Sequence, residues 1–152
     1  MQKKKVLFIC HGNICRSPMA EMIFKHLVRE RSLTGYVIDS AAVSREEIGN
    51  GVYPPAKREL AAHGVRCEAH RARQITAADY DVWDYLIGMD MSNITRMLRI
   101  FGGDPQGKVC CLLDFTDTPG DVADPWYSDR FDIAYADILR GCEKLLDYLE
   151  NE

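Results

Sequence analysis

Apolar and polar positions along the chain change their period several times, and each change marks an element. Val6–Cys10 is an unbroken apolar run, as expected of a strand buried on both faces. After a short polar segment the period becomes helical. Met19, Ile23 and Leu27 form one row and Ala20, Phe24 and Val28 the next, up to about Glu30, with Pro18 in the first turn. Tyr36–Ala41 predicts a second strand, and residues 42–53 a loop in which Gly49-Asn50-Gly51 signals a turn. Pro55–His63 is helical and closed by Gly64. Asp84–Met89 predicts a third strand. The helical repeat Ile94, Met97, Leu98 and Phe101 places a helix over Asn93–Phe101, stopped by Gly102-Gly103. Val109–Leu113 predicts a fourth strand, and Asp114–Arg130, with Pro119, Gly120 and Pro125, a long loop. Phe131–Leu149 closes the chain as a helix with Ala134, Ile138, Cys142, Leu145 and Leu149 on one face.

This alternation predicts an α/β fold of parallel strands joined by right-handed crossovers, with helices on both faces. In such sheets ligands bind beyond the carboxyl ends of the strands. Cys10 stands at one of those ends.

Length and composition narrow the picture without changing it. The 152 residues, 47% hydrophobic, suit a single domain over 1–152 that needs neither disulfide nor metal to hold its core. No stretch approaches the ~20 apolar residues of a membrane span. The opening Met1-Gln2-Lys3-Lys4-Lys5 is basic, but the apolar run that follows is too short for a signal peptide. Six cysteines without a secretory signal point to free thiols in a reducing cytoplasm, and no Cys-x-x-Cys pair suggests a metal site. Residues 1–75 carry 13 Lys/Arg against 7 Asp/Glu, and residues 76–152 carry 6 against 16. The first half is thus the natural surround for an anion, yet nothing in it resembles a nucleic-acid surface.

The segment between the first strand and the first helix carries the chemistry: Cys10-His11-Gly12-Asn13-Ile14-Cys15-Arg16-Ser17-Pro18. A short loop entering a helix directs backbone N–H groups inward and adds the positive end of the helix dipole, which makes an anion site. Gly12 permits a tight turn, and Asn13 tolerates a left-handed conformation. Arg16 can grip two phosphate oxygens. The same donors would favour the thiolate form of Cys10, the nucleophilic form, beneath the phosphorus. Cys-x5-Arg alone means little, since Cys67 and Arg73 share that spacing. That second pair lacks the preceding apolar run, the loop glycine and the helix start.

Cys10 to Ser17 resembles the phosphate loop of the low-molecular-weight protein tyrosine phosphatases. The resemblance continues through Asp39-Ser40-Ala41-Ala42, Ile48-Gly49-Asn50, His70-x-Ala72-Arg73-Gln74-Ile75, Met89-Asp90-x-Ser92-Asn93 and Asp124-Pro125-Trp126-Tyr127, in order, over nearly the whole chain. It implies a four-stranded parallel sheet in a flavodoxin-like phosphatase fold, acting on phosphotyrosine proteins without a cofactor. It implies Cys10 as nucleophile, Arg16 as phosphate clamp and Asp124 as general acid and then base. Residues 11–17 would bind the phosphate. Asn13, Ser17, Ser40 and His70 would form the polar network that holds the loop and the thiolate, and Trp126 and Tyr127 the aromatic wall. Asp90 is expected only to cap a helix, and Cys110, Cys111 and Cys142 to be buried, inert thiols. His26 and His63 are expected to be ordinary surface or core residues. Cys15 shares a loop with Cys10, which suggests a reversible disulfide.

Two positions depart from the family pattern. The residue after Cys10 is often leucine or threonine, and here it is His11. The variable loop usually offers an aromatic near position 46, where Arg45-Glu46-Glu47 stand. Both belong to the expected substrate pocket, so they bear on preference and not on chemistry. An arsenate reductase would need a spaced pair of further cysteines, and only the adjacent Cys110-Cys111 is available. A phosphoarginine phosphatase resembles the same loop with threonine in place of Ile14. A binding module without turnover would have no need of Cys10, Arg16 and Asp124 together.

Overall fold

The computed structural model describes residues 4–152; Met1, Gln2 and Lys3 of the basic opening lie outside the described residues. Four parallel strands form one sheet: β1 (Lys4–Cys10), β2 (Tyr36–Ala42), β3 (Tyr85–Gly88) and β4 (Val109–Cys111), in the order β2-β1-β3-β4. Because β1 is central and every pairing is parallel, all four carboxyl ends lie on one edge.

The pleat divides the core. Val6, Phe8 and Cys10 face α1 (Arg16–Glu30), α2 (Pro54–Ala62) and α6 (Phe131–Glu150). Leu7 and Ile9 face the other way, toward Tyr80 and Trp83 around α3 (Asp79–Val82) and Ile94 and Met97 of α4 (Met91–Phe101). Leu7, Phe8 and Ile9 are wholly buried, each worth about 1.5–3 kcal/mol by apolar transfer. Helices on both faces are what the periodicity predicted.

Several boundaries differ from expectation. The fourth strand ends at Cys111, and Leu112–Phe115 wind into a single 3₁₀ turn. There the Asp114 carboxylate accepts from the Cys111 N–H at 3.0 Å, which curls the chain back. Leu112 is buried against Gly141 of α6, where a Cβ would stand 2.5 Å from Leu112 Cγ. The apolar run 109–113 is continuous because both a strand and a packed turn bury it. Two four-residue helices, α3 and α5 (Pro125–Ser128), lie within stretches too short to show a helical period. Arg16 and Ser17 already belong to α1, which puts Pro18 in its first turn as expected. Cys111 and Cys142 are buried as expected, but Cys110 is only partly so.

Beyond β2, Ala42 pairs with Gln74 in an isolated parallel bridge, and its N–H and C=O bond Arg73 and Ile75. This brings the segment 70–75 beside the carboxyl edge of the sheet. Among the described residues no helix is long and apolar enough to cross a membrane.

Candidate active site

The loop after β1 folds around the sulfur of Cys10. The backbone N–H groups of Asn13 and Ser17 point at Sγ from 3.3 and 3.4 Å, and the Ser17 hydroxyl lies 3.0 Å away. The left-handed turn is made by Asn13, at φ 61°, and not by Gly12. At position 12 an added Cβ would stand a close 3.2 Å from Glu47 Cγ, so the Glu47 side chain would have to shift by a few tenths of an ångström. Asn13 also locks the loop from within. Its amide donates to Ser17 Oγ at 2.8 Å, and its side-chain oxygen accepts from the Arg73 N–H at 3.3 Å. The first turn of α1 carries no acidic residue, so the positive end of its dipole is left to act on whatever the loop holds.

Arg16 is 3% exposed and spans two segments distant in sequence. Nη1 donates to Asp90 Oδ2 and to the Val122 carbonyl, both at 2.8 Å, and Nη2 lies 3.5 Å from Asp124 Oδ2. Burial works against its charge, but Cys10, Asp124 and Asp90 outweigh that and raise its affinity for the proton above the ordinary value. Asp90 does cap α4, accepting from the Asn93 N–H at 2.9 Å. Its second oxygen anchors Arg16, a role that spacing did not reveal. Leaving a buried guanidinium without its carboxylate costs about 3–5 kcal/mol.

Asp124 caps α5, accepting from the Trp126 N–H at 3.0 Å, and this points its carboxyl group at the loop. Together these segments enclose a cavity of about 380 Å³ with Cys10 and Arg16 among its lining residues. Gly12, Ile14 and Cys15 line it from the loop, His11, Glu46 and Glu47 from one side, and Asp124, Trp126 and Tyr127 from another. Trp126 leans on Tyr53, ring centroids 5.0 Å apart, whereas Tyr127 is 86% exposed. Asn13 and Ser17 are buried and line no part of the opening.

The model of the family described as low molecular weight phosphotyrosine protein phosphatase matches residues 5–152. The chain belongs to that family. The low molecular weight protein-tyrosine-phosphatase YfkJ of Bacillus subtilis is 37% identical over 150 residues, covering 97% of this chain and 96% of that protein. Its crystal structure superposes with a TM-score of 0.96 at 35% identity, over 99% of this chain and 97% of that one. The low molecular weight phosphotyrosine protein phosphatase of Saccharomyces cerevisiae is 40% identical over 139 residues, 88% of this chain and 86% of that protein. A crystal structure of DARP, a Drosophila arginine phosphatase, matches with a TM-score of 0.87 at 33% identity, over 95% of this chain and 97% of that one.

In this phosphatase fold the polar network differs from expectation in its membership. His70 Nε2 lies 3.0 Å from the Asn13 carbonyl oxygen and so touches the loop directly. Ser40 does not. It donates to the buried carboxylate of Glu21 at 2.6 Å, and Glu21 in turn lies 3.8 Å from His70 Nδ1. Ser40 thus reaches the loop only through Glu21 and His70. Glu21 is 4% exposed and also receives Lys25 at 2.7 Å, which bonds Glu68 as well at 2.9 Å. A lone Glu on a helix gives no sequence signal. Its place one turn beyond Ser17, on the face that carries buried residues, is the only clue.

Cys15 lines the cavity with a neutral thiol: burial, then the charges of Cys10 and Asp124, push its pKa up to about 12. The decoy pair makes no site. Cys67 is partly buried, and the Arg73 guanidinium is taken up by Asp79 at 3.2 and 3.3 Å. His26 and His63 lie away from the cavity, paired with Glu30 and Glu59.

Proposed function

We propose that this chain, as one phosphatase domain, hydrolyses phosphotyrosine in proteins through a phosphocysteine intermediate. The observation that carries this is the sulfur of Cys10, met by two N–H groups and a hydroxyl at the floor of a cavity that Arg16 and Asp124 also line. The Cys10 thiolate attacks phosphorus, forming the P–S bond as the P–O bond to the phenol breaks. Asp124, in its acid form, gives its proton to the departing oxygen. Water then attacks phosphorus, Asp124 takes its proton, and the P–S bond breaks to release phosphate. Arg16 and the loop N–H groups hold the equatorial oxygens, where charge gathers in both steps. Asp90 keeps the Arg16 fork in that orientation.

The burial of Cys10, 3% exposed in the lining of the cavity, favours a long phosphomonoester. A tyrosine ring can stack on Trp126 and Tyr127 for about 0.5–1.5 kcal/mol beyond its area burial. Phosphoserine would have to carry its backbone into the opening. The similarity to an arginine phosphatase makes phosphoarginine the alternative. Ile14 lines the cavity and offers a guanidinium no hydrogen bond, leaving buried donors unpaired at about 1–3 kcal/mol each. All six cysteines are free thiols, which suits the cytoplasm.

The test is kcat/KM on matched phosphotyrosine and phosphoarginine peptides. Phosphotyrosine should be preferred by at least about tenfold, as one unpaired donor implies. Ile14→Thr should gain phosphoarginine activity. Equal rates in the unaltered protein would overturn the assignment.

A further inference from the structure

The cavity has unlike sides. Trp126 and Tyr127 make one of them, 55% and 86% exposed. His11, Glu46 and Glu47 make the other, and these include the two positions where the sequence departs from the family pattern. Their placement is fixed by the backbone. The Val43 N–H donates to the Cys10 carbonyl at 3.0 Å, and the Ser44 N–H and hydroxyl both donate to the His11 carbonyl, at 3.1 and 2.9 Å. The Glu46 N–H then closes on Ser44 Oγ at 3.4 Å. The variable loop is therefore stitched to the phosphate loop, and Glu46 Oε2 meets His11 Nε2 at 2.8 Å. The stem of Glu47 packs against Gly12, where an added Cβ would stand 3.2 Å from its Cγ.

Two carboxylates face one imidazole. Even with His11 charged this side of the opening keeps a net negative charge, and Arg45, the next cation in the loop, does not line the cavity. The exposed indole and phenol opposite attract cations through their ring faces. Both sides of the opening therefore favour positive charge, while the floor takes the phosphoryl anion.

We propose that His11, Glu46 and Glu47 set substrate preference, selecting phosphotyrosines flanked by arginine or lysine over those flanked by acidic residues. This rests on the cavity being the phosphotyrosine site. Glu46 and Glu47 attract the flanking cation, and His11 moderates them by holding one carboxylate.

The experiment compares kcat/KM on three phosphotyrosine peptides that differ only in having Arg, Ala or Glu on both sides of the phosphotyrosine. Para-nitrophenyl phosphate, which has no flanks, is measured beside them. The Arg peptide should exceed the Glu peptide by about tenfold at low salt, the combined size of a few exposed ion pairs. The ratio should shrink toward one in about 0.5 M salt, where screening reaches within a few ångströms. In the Glu46→Gln/Glu47→Gln double variant the ratio should fall toward one at every salt concentration. In His11→Leu it should rise, because Glu46 loses its partner. A ratio of one or less in the unaltered protein, with all three peptides hydrolysed, overturns this inference alone. So does a ratio that the double variant leaves in place, or a fall in His11→Leu. No turnover of para-nitrophenyl phosphate overturns the proposed function, and this inference with it.

Discussion

Two segments meet over the cavity, one after β1 and one after β4, and they are built in opposite ways. In the first, Asn13, Arg16 and Ser17 are at most 3% exposed, Asn13 bonds Ser17 within the loop, and Arg16 is held by Asp90 and the Val122 carbonyl. In the second, between Asp117 and Arg130, only Val122 and Pro125 are buried, and Trp126, Tyr127, Ser128 and Asp129 face solvent. The first segment is preorganised to hold charge, at no cost of rearrangement when phosphate arrives. The second is held to the body by scattered single contacts: the Val122 N–H on the Met89 carbonyl, the Val122 carbonyl and Asp124 on Arg16, Asp121 on the Met91 N–H and Thr118 on Arg140. Under the proposed mechanism, its exposed Trp126 and Tyr127 leave space for a bulky substrate beside Asp124. A nucleophile needs a fixed environment, whereas a proton donor must fit leaving groups of many shapes.

The largest effect should come from breaking the fixed side. Cys10→Ser should abolish turnover, with less than about a hundredth of activity left, consistent with loss of a covalent route. It should still bind vanadate or a phosphotyrosine peptide, because the N–H groups and Arg16 remain. Cys67→Ser, the same spacing in another setting, should change activity little. A collapse there would show that the wrong loop was assigned.

The exposed side should show a graded effect. Asp124→Asn should slow hydrolysis by about 10²–10⁴-fold with a poor leaving group and much less with a good one, as general acid catalysis requires. An equal loss on both would point to a conformational role for the segment instead of proton donation.

The smallest effect concerns Cys15, where the two sides meet. Mild peroxide should inactivate the protein and thiol reductant should restore it, with a bond between residues 10 and 15 found by mass spectrometry; Cys15→Ser should make the loss harder to reverse. No such bond would overturn the redox role. Since the folded protein raises the Cys15 pKa from 9.0 to about 12, the native state keeps a proton that the unfolded chain releases in that window. Its contribution to stability is complete below pH 9 and is lost as pH rises toward 12. The melting temperature should therefore drop less steeply over that range in Cys15→Ser.

Much of this was legible in the residues themselves. The two periods in the apolar pattern give the layered sheet, because burial on both faces of β1 and on one stripe of each helix leaves a local trace. Cys10 and Arg16 were legible because they lie within seven residues of continuous chain. The early end of β4 was not, since Leu112 and Leu113 are as buried in their turn as they would be in a strand.

What only the tertiary structure decided is the company each charge keeps. Arg16 meets Asp90 and the Val122 carbonyl across separations of 74 and 106 residues, Ser40 answers to Glu21 and not to the loop, and Glu46 closes on His11. None of these pairs has a spacing that recurs or a period that betrays it. A hydrophobic side chain needs only some core to enter, so its pattern survives in sequence. A buried charge needs one particular partner at hydrogen-bond distance, and that partner is set by how the strands and helices pack.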